Sequence, residues 1–204
     1  MSATSISRNS LRITVAVAAM AAASACAKKE TPAADTATTA TAAPAPAPAP
    51  AAAPAINDAQ IAHIVVTANA IDSTAGALAK TKASSKAVKD FAQTMVKDHM
   101  GVNKQAVALA TKLNVTPEAN DVSKQLTTGA DENIANLKGL SGAAFDKAYI
   151  DHEVAYHQAV LDALDKTLVP SAQNAELKDL LVKVRPAFVA HLDRAKSIQT
   201  SLTK

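Results

Sequence analysis

Residues 177–202 read LKDLLVKVRPAFVAHLDRAKSIQTSL, and the spacing of their apolar side chains decides the fold. One stripe of positions recurs in alternating steps of four and three residues: Leu177, Leu181, Val184, Phe188, His191, Ala195, Ile198 and Leu202. This period places the stripe on one face of a helix, whereas a half-buried strand would alternate with a period of two. The segment is therefore predicted to be a long amphipathic helix with a histidine inside its buried face.

Three earlier segments show the same helical period. The first begins near Asn57 or Asp58, the second around Ser84 and Ser85, and the third covers about residues 143–168. Asn, Asp and Ser favour helix N-termini because their side chains accept hydrogen bonds from the first free amides. The sequence Val169-Pro170-Ser171 is expected to break the third helix, since proline lacks a backbone donor.

The spacing between the helices predicts how the chain connects them. Short breaks join the first helix to the second and the third to the fourth, which indicates two antiparallel hairpins. About 28 residues separate the second helix from the third, enough for a crossover with its own helix. The predicted fold is all-α, a ferritin-like antiparallel four-helix bundle over residues 57–204 with a short extra helix in this crossover. An up-down-up-down bundle with an excursion is the alternative.

Residues 1–25 are predicted to be a secretory signal peptide. Two arginines precede an apolar run over residues 13–23, and small residues follow it up to Cys26. Because Cys26 lies directly after the expected cleavage site, it is predicted to carry a lipid, as in bacterial lipoproteins. Ordinary cleavage after Ala25 is the alternative and would give a soluble periplasmic protein. Ala27, where aspartate would favour the inner membrane, favours an outer-membrane anchor that faces the periplasm.

Residues 26–56 are predicted to be a disordered tether rich in alanine, proline and threonine. The run APAPAPAP at residues 43–50 fixes backbone angles and removes amide donors, so it favours extended polyproline II over helix or strand. A spacer of this kind would hold the bundle away from the membrane surface. Membrane attachment is therefore expected through the lipid on Cys26 rather than through a helix.

Composition excludes several classes of function. The chain has 204 residues with 2% aromatic side chains, no tryptophan and a formal net charge of +3 at pH 7. The part after the tether is nearly neutral, so it lacks both the basic surface and the stacking rings that nucleic-acid binding needs. A single cysteine excludes an internal disulfide and a cysteine-based zinc site. No nucleic-acid partner is expected.

Three histidines lie on the predicted buried faces of three different helices. His99, His157 and His191 each fall near the middle of a helix, so a bundle would bring them to one level or to adjacent levels. Asp72 falls at a similar level of the first helix, and Glu153 lies one turn before His157 on the same face. Imidazole and carboxylate ligands of this kind suit a single zinc, copper or iron ion. These five residues form the predicted metal site.

A buried hydrogen-bond network is the favoured interpretation of the same three histidines, and the metal site is the alternative. Tyr149 and Tyr156 are placed to supply hydroxyl partners, together with the acidic side chains. A polar layer of this kind fixes the register of the helices in a bundle. A ferroxidase is not expected, because di-iron bundles need Glu-x-x-His motifs. Val96, Val154 and Phe188 stand three residues before the histidines instead.

Several strings of this sequence resemble the bacterial DUF4142 family. They are FAQTMVKDH at residues 91–99, FDKAYI at 145–150, the following His157, and PAFVAH at 186–191. The resemblance covers about residues 57–202 and implies a ferritin-like helical fold, frequent export from the cytoplasm and no settled activity. It places the acidic Glu-x-Glu positions of the family's first helix at Asp72 and Thr74.

These features together predict a non-enzymatic lipoprotein of the bacterial cell envelope. Its helical bundle would bind an unidentified protein or small-ligand partner, or serve a structural or stress-related role. The alternative is a periplasmic metal-binding protein that uses the histidine-rich site in the bundle core. The first hypothesis requires no cofactor, whereas the second requires one transition metal ion. No catalytic residue is predicted.

Overall fold

The computed structural model describes residues 56–204. Within this range every regular element is helical and no strand occurs, which confirms the predicted all-α class. The predicted signal peptide at residues 1–25, the lipid site Cys26 and the tether up to residue 55 lie outside the described residues.

The described residues form six helices and one π-helical turn. In chain order these are α1 (Asp58–Lys82), α2 (Lys86–Lys112), α3 (Asp121–Gly139), α4 (Gly142–Ala163), the π-helical turn (Leu164–Leu168), α5 (Val169–Ser171) and α6 (Ala175–Leu202). The four long helices of the bundle are α1, α2, α4 and α6. Helix α3, with 19 residues, fills most of the predicted crossover.

The third long helix ends differently from the sequence prediction. Val169–Ser171 was expected to break the helix, but these residues continue it as α5. The hydrogen-bond pattern changes earlier, in the π-helical turn Leu164–Leu168. Pro170 is tolerated because it occupies the first turn of α5, where a missing amide donor costs little. The predicted break at Val169-Pro170-Ser171 is therefore wrong by a few residues, and the helix ends at Ala172, whose backbone is extended.

Aspartate side chains tie the two halves of the bundle together. Asp146 of α4 accepts hydrogen bonds from the amides of Ser84 and Ser85 at 2.9 and 2.7 Å, directly before α2. Asp58 of α1 accepts two more, both at 2.9 Å, from the two amides before α6. Free amides at a helix start attract carboxylates. Each half of the bundle therefore caps a helix of the other half.

The connections agree with two hairpins and a crossover. Helices α1 and α2 pack together as one antiparallel pair, and α4 and α6 pack as another. Asn120, just before α3, donates to the carbonyl of Gln60 at 3.2 Å near the start of α1. Lys82, at the end of α1, donates to the carbonyl of Leu137 at 3.0 Å near the end of α3. Helix α3 therefore runs along the length of α1 and in the same direction. The ferritin-like assignment itself stays a prediction.

Apolar side chains fill the two ends of the bundle. One cluster includes Ile61 and Leu181 and lies at the end where α1 and α6 begin. The other includes Phe91, Phe145 and Ile198 and lies where α2 and α4 begin. The polar residues of the predicted site lie between these two clusters.

Helix α1 is the one helix within residues 56–204 that is long and apolar enough to cross a membrane. Its buried side chains include Ile61, Ile64 and Ala79, which pack inside the bundle. The apolar character of α1 is thus explained by its place in the protein core.

Candidate metal centre

The structure brings the five residues of the predicted metal site together at one level of the bundle. Asp72 comes from α1, His99 from α2, Glu153 and His157 from α4, and His191 from α6. All five are buried, with exposed fractions between 1% and 6%. Glu153 and His157 share one face of α4 because four residues make about one helical turn. The same period that buries the apolar stripes therefore turns these polar side chains inward.

The three imidazole rings form a compact triangle. Their centroids lie 5.3 to 5.5 Å apart, and one ring nitrogen of each histidine lies within 4.8 Å of one nitrogen of the other two. Asp72 Oδ2 lies 3.3 Å from His99 Nε2 and 3.6 Å from His157 Nε2. Glu153 Oε2 lies 3.5 Å from His157 Nδ1. The carboxylates thus approach the triangle from α1 and α4.

Two of the imidazoles are held by an acceptor on their outer side. His99 Nδ1 lies 2.9 Å from the side-chain oxygen of Asn69, whose amide group donates to the Val65 carbonyl. His157 Nδ1 lies 3.0 Å from the backbone carbonyl of Glu153. An oxygen that can only accept requires the proton on the facing nitrogen, so Nδ1 donates in both rings. The Nε2 atom of each ring then carries a lone pair toward Asp72.

His191 has the same arrangement with its nitrogens exchanged. Its Nε2 lies 3.1 Å from Asp98 Oδ2, and a carboxylate at this distance accepts the ring proton. The other nitrogen, Nδ1, is buried. This is the pattern by which a carboxylate orients a metal-binding histidine. Asp98 and Asn69 are not among the predicted site residues, although both fix the orientation of a predicted ligand.

The inward-facing atoms of the cluster are buried without hydrogen-bond partners among residues 56–204. They are Asp72 Oδ1 and Oδ2, His99 Nε2, Glu153 Oε2, His157 Nε2 and His191 Nδ1. Neither of the two close contacts between Asp72 and the imidazoles is a hydrogen bond. Each buried polar atom left in this state costs free energy. The cluster is therefore incomplete as a hydrogen-bond network.

Burial makes the cluster electrically neutral at neutral pH. It raises the pKa of Asp72 from 3.8 to about 8 and holds the pKa of Glu153 well above its ordinary value, with the nearby Asp72 adding to the effect. Burial, reinforced by the other two imidazoles, lowers the pKa of His99 to about 2. Burial likewise lowers the pKa of His157 to about 4 and that of His191 below its usual range. The imidazole lone pairs are thus free of protons at pH 7.

The two tyrosines that were predicted as hydrogen-bond partners contact groups other than the histidine nitrogens. The Tyr156 hydroxyl donates to the Ala68 carbonyl at 3.0 Å rather than to a histidine. The Tyr149 hydroxyl is buried beside the Glu153 carboxyl group, and burial together with this neighbour raises the pKa of Tyr149 well above its ordinary value. Phe188 stacks on His99 with ring centroids 5.1 Å apart and planes 14° apart. The histidine rings therefore pack against an apolar ring, that of Phe188, as well as against polar side chains.

A surface cleft leads toward the cluster. It lies between α2 and α6, has a volume of about 440 Å³, and reaches both Asp98 and His191. The Asp98 side chain is 37% exposed, whereas that of His191 is 7% exposed. The remaining histidines, His63 and His152, are half-buried and lie outside the cluster. Solvent therefore approaches the site most closely through the pair formed by Asp98 and His191.

Comparison with protein families agrees with this architecture. The family model described as "Domain of unknown function (DUF4142)" matches residues 41–198. The protein therefore belongs to the DUF4142 family, which confirms the resemblance seen in the sequence. No curated protein and no solved structure matches the sequence significantly. The family description assigns no activity, so any conclusion about function has to rest on the geometry of the site.

Proposed function

We propose that this DUF4142 protein binds a single divalent transition metal ion at the cluster of Asp72, His99, Glu153, His157 and His191. The orientation of the imidazoles supports the proposal: each ring gives one nitrogen to an outer acceptor and turns the other toward the centre. Outer acceptors of this kind fix the tautomer of metal-ligating histidines. Three neutral imidazoles with carboxylate oxygens suit zinc, copper or iron.

The ligand atoms of the cluster form two groups that share His157, and within each group they lie within 4.8 Å of one another: His99, His157 and His191 form one group, and Asp72, Glu153 and His157 form the other. Ligand atoms bound tetrahedrally at about 2.0 to 2.1 Å lie about 3.3 Å from one another. Asp72 Oδ2 and His99 Nε2 are already 3.3 Å apart. The ring nitrogens, which lie within 4.8 Å of one another, would close by at most about 1.5 Å. We expect side-chain rotations to close this distance for the three histidines and Asp72.

The charge of the cluster also supports a cation. Neither Asp72 nor Glu153 pairs with a lysine or arginine in the described range, although both are fully buried. Buried carboxyl groups without a cation must hold protons. One divalent ion could replace the two protons without changing the net charge of the core. Metal binding would then release protons, as expected for ligands that must be deprotonated.

The alternative of a purely structural hydrogen-bond network is less well supported. A satisfied network would give each inward-facing atom a donor or acceptor at good geometry. Six such atoms have none among residues 56–204, and the two carboxyl protons of Asp72 and Glu153 could satisfy at most two of the three imidazole lone pairs. A metal ion would satisfy the three nitrogens and at least one carboxylate oxygen at once. We therefore place the metal-binding hypothesis, which the sequence ranked second, ahead of the network.

The test is metal binding by the full chain purified without a histidine tag. We expect elemental analysis to find one transition metal per chain, or calorimetric titration with Zn²⁺ to saturate at one equivalent. His99→Ala, His157→Ala and His191→Ala should each lower the affinity for Zn²⁺ at least tenfold. His63→Ala and His152→Ala are matched controls, because these histidines lie outside the cluster. They should bind Zn²⁺ like the natural chain.

Two results would contradict the proposal. The natural chain could bind no metal, or the control variants could lose as much affinity as the cluster variants. Circular dichroism of each variant separates loss of binding from loss of fold. A negative metal test with a folded chain would return support to the structural or partner-binding role.

We also propose that the protein is an envelope lipoprotein held at the outer membrane through Cys26 and facing the periplasm. The support is the position of the single cysteine at the end of the predicted signal peptide. Mass spectrometry of the N-terminal peptide should find acyl chains on Cys26. Cys26→Ser should move the protein from the membrane fraction to the soluble fraction. An unmodified Cys26 in natural membranes would exclude the anchor and leave the soluble periplasmic alternative.

A further inference from the structure

A second feature of the core lies beside the histidine cluster. A cavity of about 190 Å³ opens in the apolar end of the bundle where α1 and α6 begin. Its walls come from α1, α4, the π-helical turn and α6, and include Ile64, Leu164 and Leu181. Val122 and Leu126 of α3 cover it from outside. The metal proposal does not use this space.

The chemistry of the walls selects against charged ligands. Most lining side chains are aliphatic, and Phe188 closes the end next to the cluster. Asn69, Tyr156 and Thr167 also reach the cavity. The polar groups of Asn69 and Tyr156 already bond to His99 and to backbone carbonyls, and Thr167 adds one uncharged hydroxyl from an exposed residue. A ligand with a charged group would have to be desolvated without compensation from these side chains. An uncharged apolar molecule gives up no strong hydrogen bonds by entering and gains free energy from the burial of its apolar surface.

Two structural irregularities surround the same cavity. The π-helical turn contributes Leu164 and Leu168 to its wall, and π-helical turns within α-helices occur frequently at functional sites. Helix α3 buries only Ser123 and Leu137 along its described length. Leu126, one of the two α3 residues that cover the cavity, is half-buried and packs against the apolar cluster that includes Ile61 and Leu181.

We infer that this cavity is a binding site for a small uncharged hydrocarbon, of the size of a benzene ring or a short alkyl chain. A dry apolar cavity of about 150 Å³ is large enough to hold benzene. The cavity seen here is somewhat larger and comparably lined. The inference stands on this space alone and does not depend on whether the cluster binds metal.

The experiment uses benzene as the test ligand and the full chain without added metal. Methyl resonances of Ile64, Val160 and Leu181 should shift on titration with benzene, because these side chains line the cavity. Benzene at ten times its dissociation constant should raise the melting temperature by about 3 to 6 °C. Benzoate, which has the same ring with a carboxylate, should produce neither effect. No methyl shift with benzene, or equal binding of benzoate, would overturn the inference.

Two neighbouring valines of α6 give a matched pair of variants. Val184 lines the cavity, whereas Val182 is 53% exposed on the outside of the bundle. Val184→Phe should fill the space and abolish the benzene response, and Val182→Phe should leave it unchanged. Ala163→Leu, at the partly exposed rim, serves as a second blocking variant if Val184→Phe does not fold. Equal benzene binding by the folded blocking variants would show that benzene binds elsewhere and would overturn the inference.

Discussion

The substitution Asp72→Asn separates the stability of the core from its capacity to bind metal. Asp72 is 1% exposed, and neither of its oxygens has a hydrogen-bond partner within the described range 56–204. Asparagine has the same shape but no charge. Its amide group can donate to the imidazole nitrogens of His99 and His157, which lie 3.3 and 3.6 Å from Oδ2. We expect the variant to be more stable than the natural metal-free chain and unable to retain metal.

The magnitude follows from the pKa of the carboxyl group. In the unfolded chain Asp72 titrates at 3.8, whereas burial raises its folded pKa to about 8. Folding at pH 7 must therefore add a proton, and the cost is absent below pH 3.8 and grows as the pH rises toward 8. At about 1.4 kcal/mol per pH unit, the cost at pH 7 is at most about 4 kcal/mol. Because the asparagine amide must also be desolvated, we expect a net gain of about 1 to 3 kcal/mol.

The assay is thermal and urea unfolding at pH 7 and pH 5, with and without Zn²⁺. Without metal, Asp72→Asn should melt about 3 to 10 °C higher than the natural chain at pH 7, with a smaller gap at pH 5. With Zn²⁺, the natural chain should gain stability and the variant should gain little. Asp193→Asn, an exposed change on α6, is the control and should do neither. A less stable variant that still responds fully to Zn²⁺ would refute the reasoning.

Three further predictions test the cluster and its surroundings. In the metal-free chain, the free energy of unfolding measured against pH should be largest at about pH 6.5. Below this pH the unfolded chain binds three protons on the imidazoles, whereas the folded cluster holds only two, on its carboxyl groups, so stability rises with pH. Above this pH the unfolded chain has released the imidazole protons while the folded chain keeps its carboxyl protons, so stability falls. A steady rise in stability from pH 6.5 to 8 would contradict this. Asp98→Ala should weaken Zn²⁺ binding about 10- to 100-fold in calorimetry, because His191 loses the acceptor that fixes its tautomer, and Asp90→Ala should not. Gly76→Ala should lower the free energy of unfolding by about 1 to 3 kcal/mol, since a Cβ atom would lie 3.0 Å from the Ala92 carbonyl oxygen, whereas Gly101→Ala, with open space around it, should raise stability by up to about 1 kcal/mol.

Most of the fold could be predicted from the sequence because the apolar period of a helix is visible within a short segment. A period of 3.5 in apolar side chains, with Asn or Ser at the starts, predicted all four long helices. The same period identified Asp72 and the three histidines as inward-facing residues, which the structure brings to one level. The error at Pro170 has a local cause, since proline at the first turn of a new helix does not stop the chain from continuing helically.

The partners of the histidines could not be predicted in the same way. Asn69 lies one turn before Asp72 on α1 and could have been proposed from its position on the same face. Asp98 is adjacent to His99 in sequence, so the two side chains point about 100° apart around the helix. Its real partner is His191, 93 residues away on α6. Such a pairing depends on how two helices are rotated against each other, and apolar periodicity does not fix that angle to within one side chain.

The layer of buried polar side chains between the two apolar clusters costs free energy of folding, and some other interaction has to balance this cost. A core selected for stability alone would place apolar residues between the two apolar clusters, and such replacements of buried charged groups often stabilise a protein. Here five polar side chains occupy these positions instead, and their inward-facing atoms lack hydrogen-bond partners among residues 56–204. Outer acceptors nevertheless hold each imidazole in one orientation. A layer needed only for helix register would gain nothing from aiming its lone pairs at one point, whereas a ligand for a cation must do so.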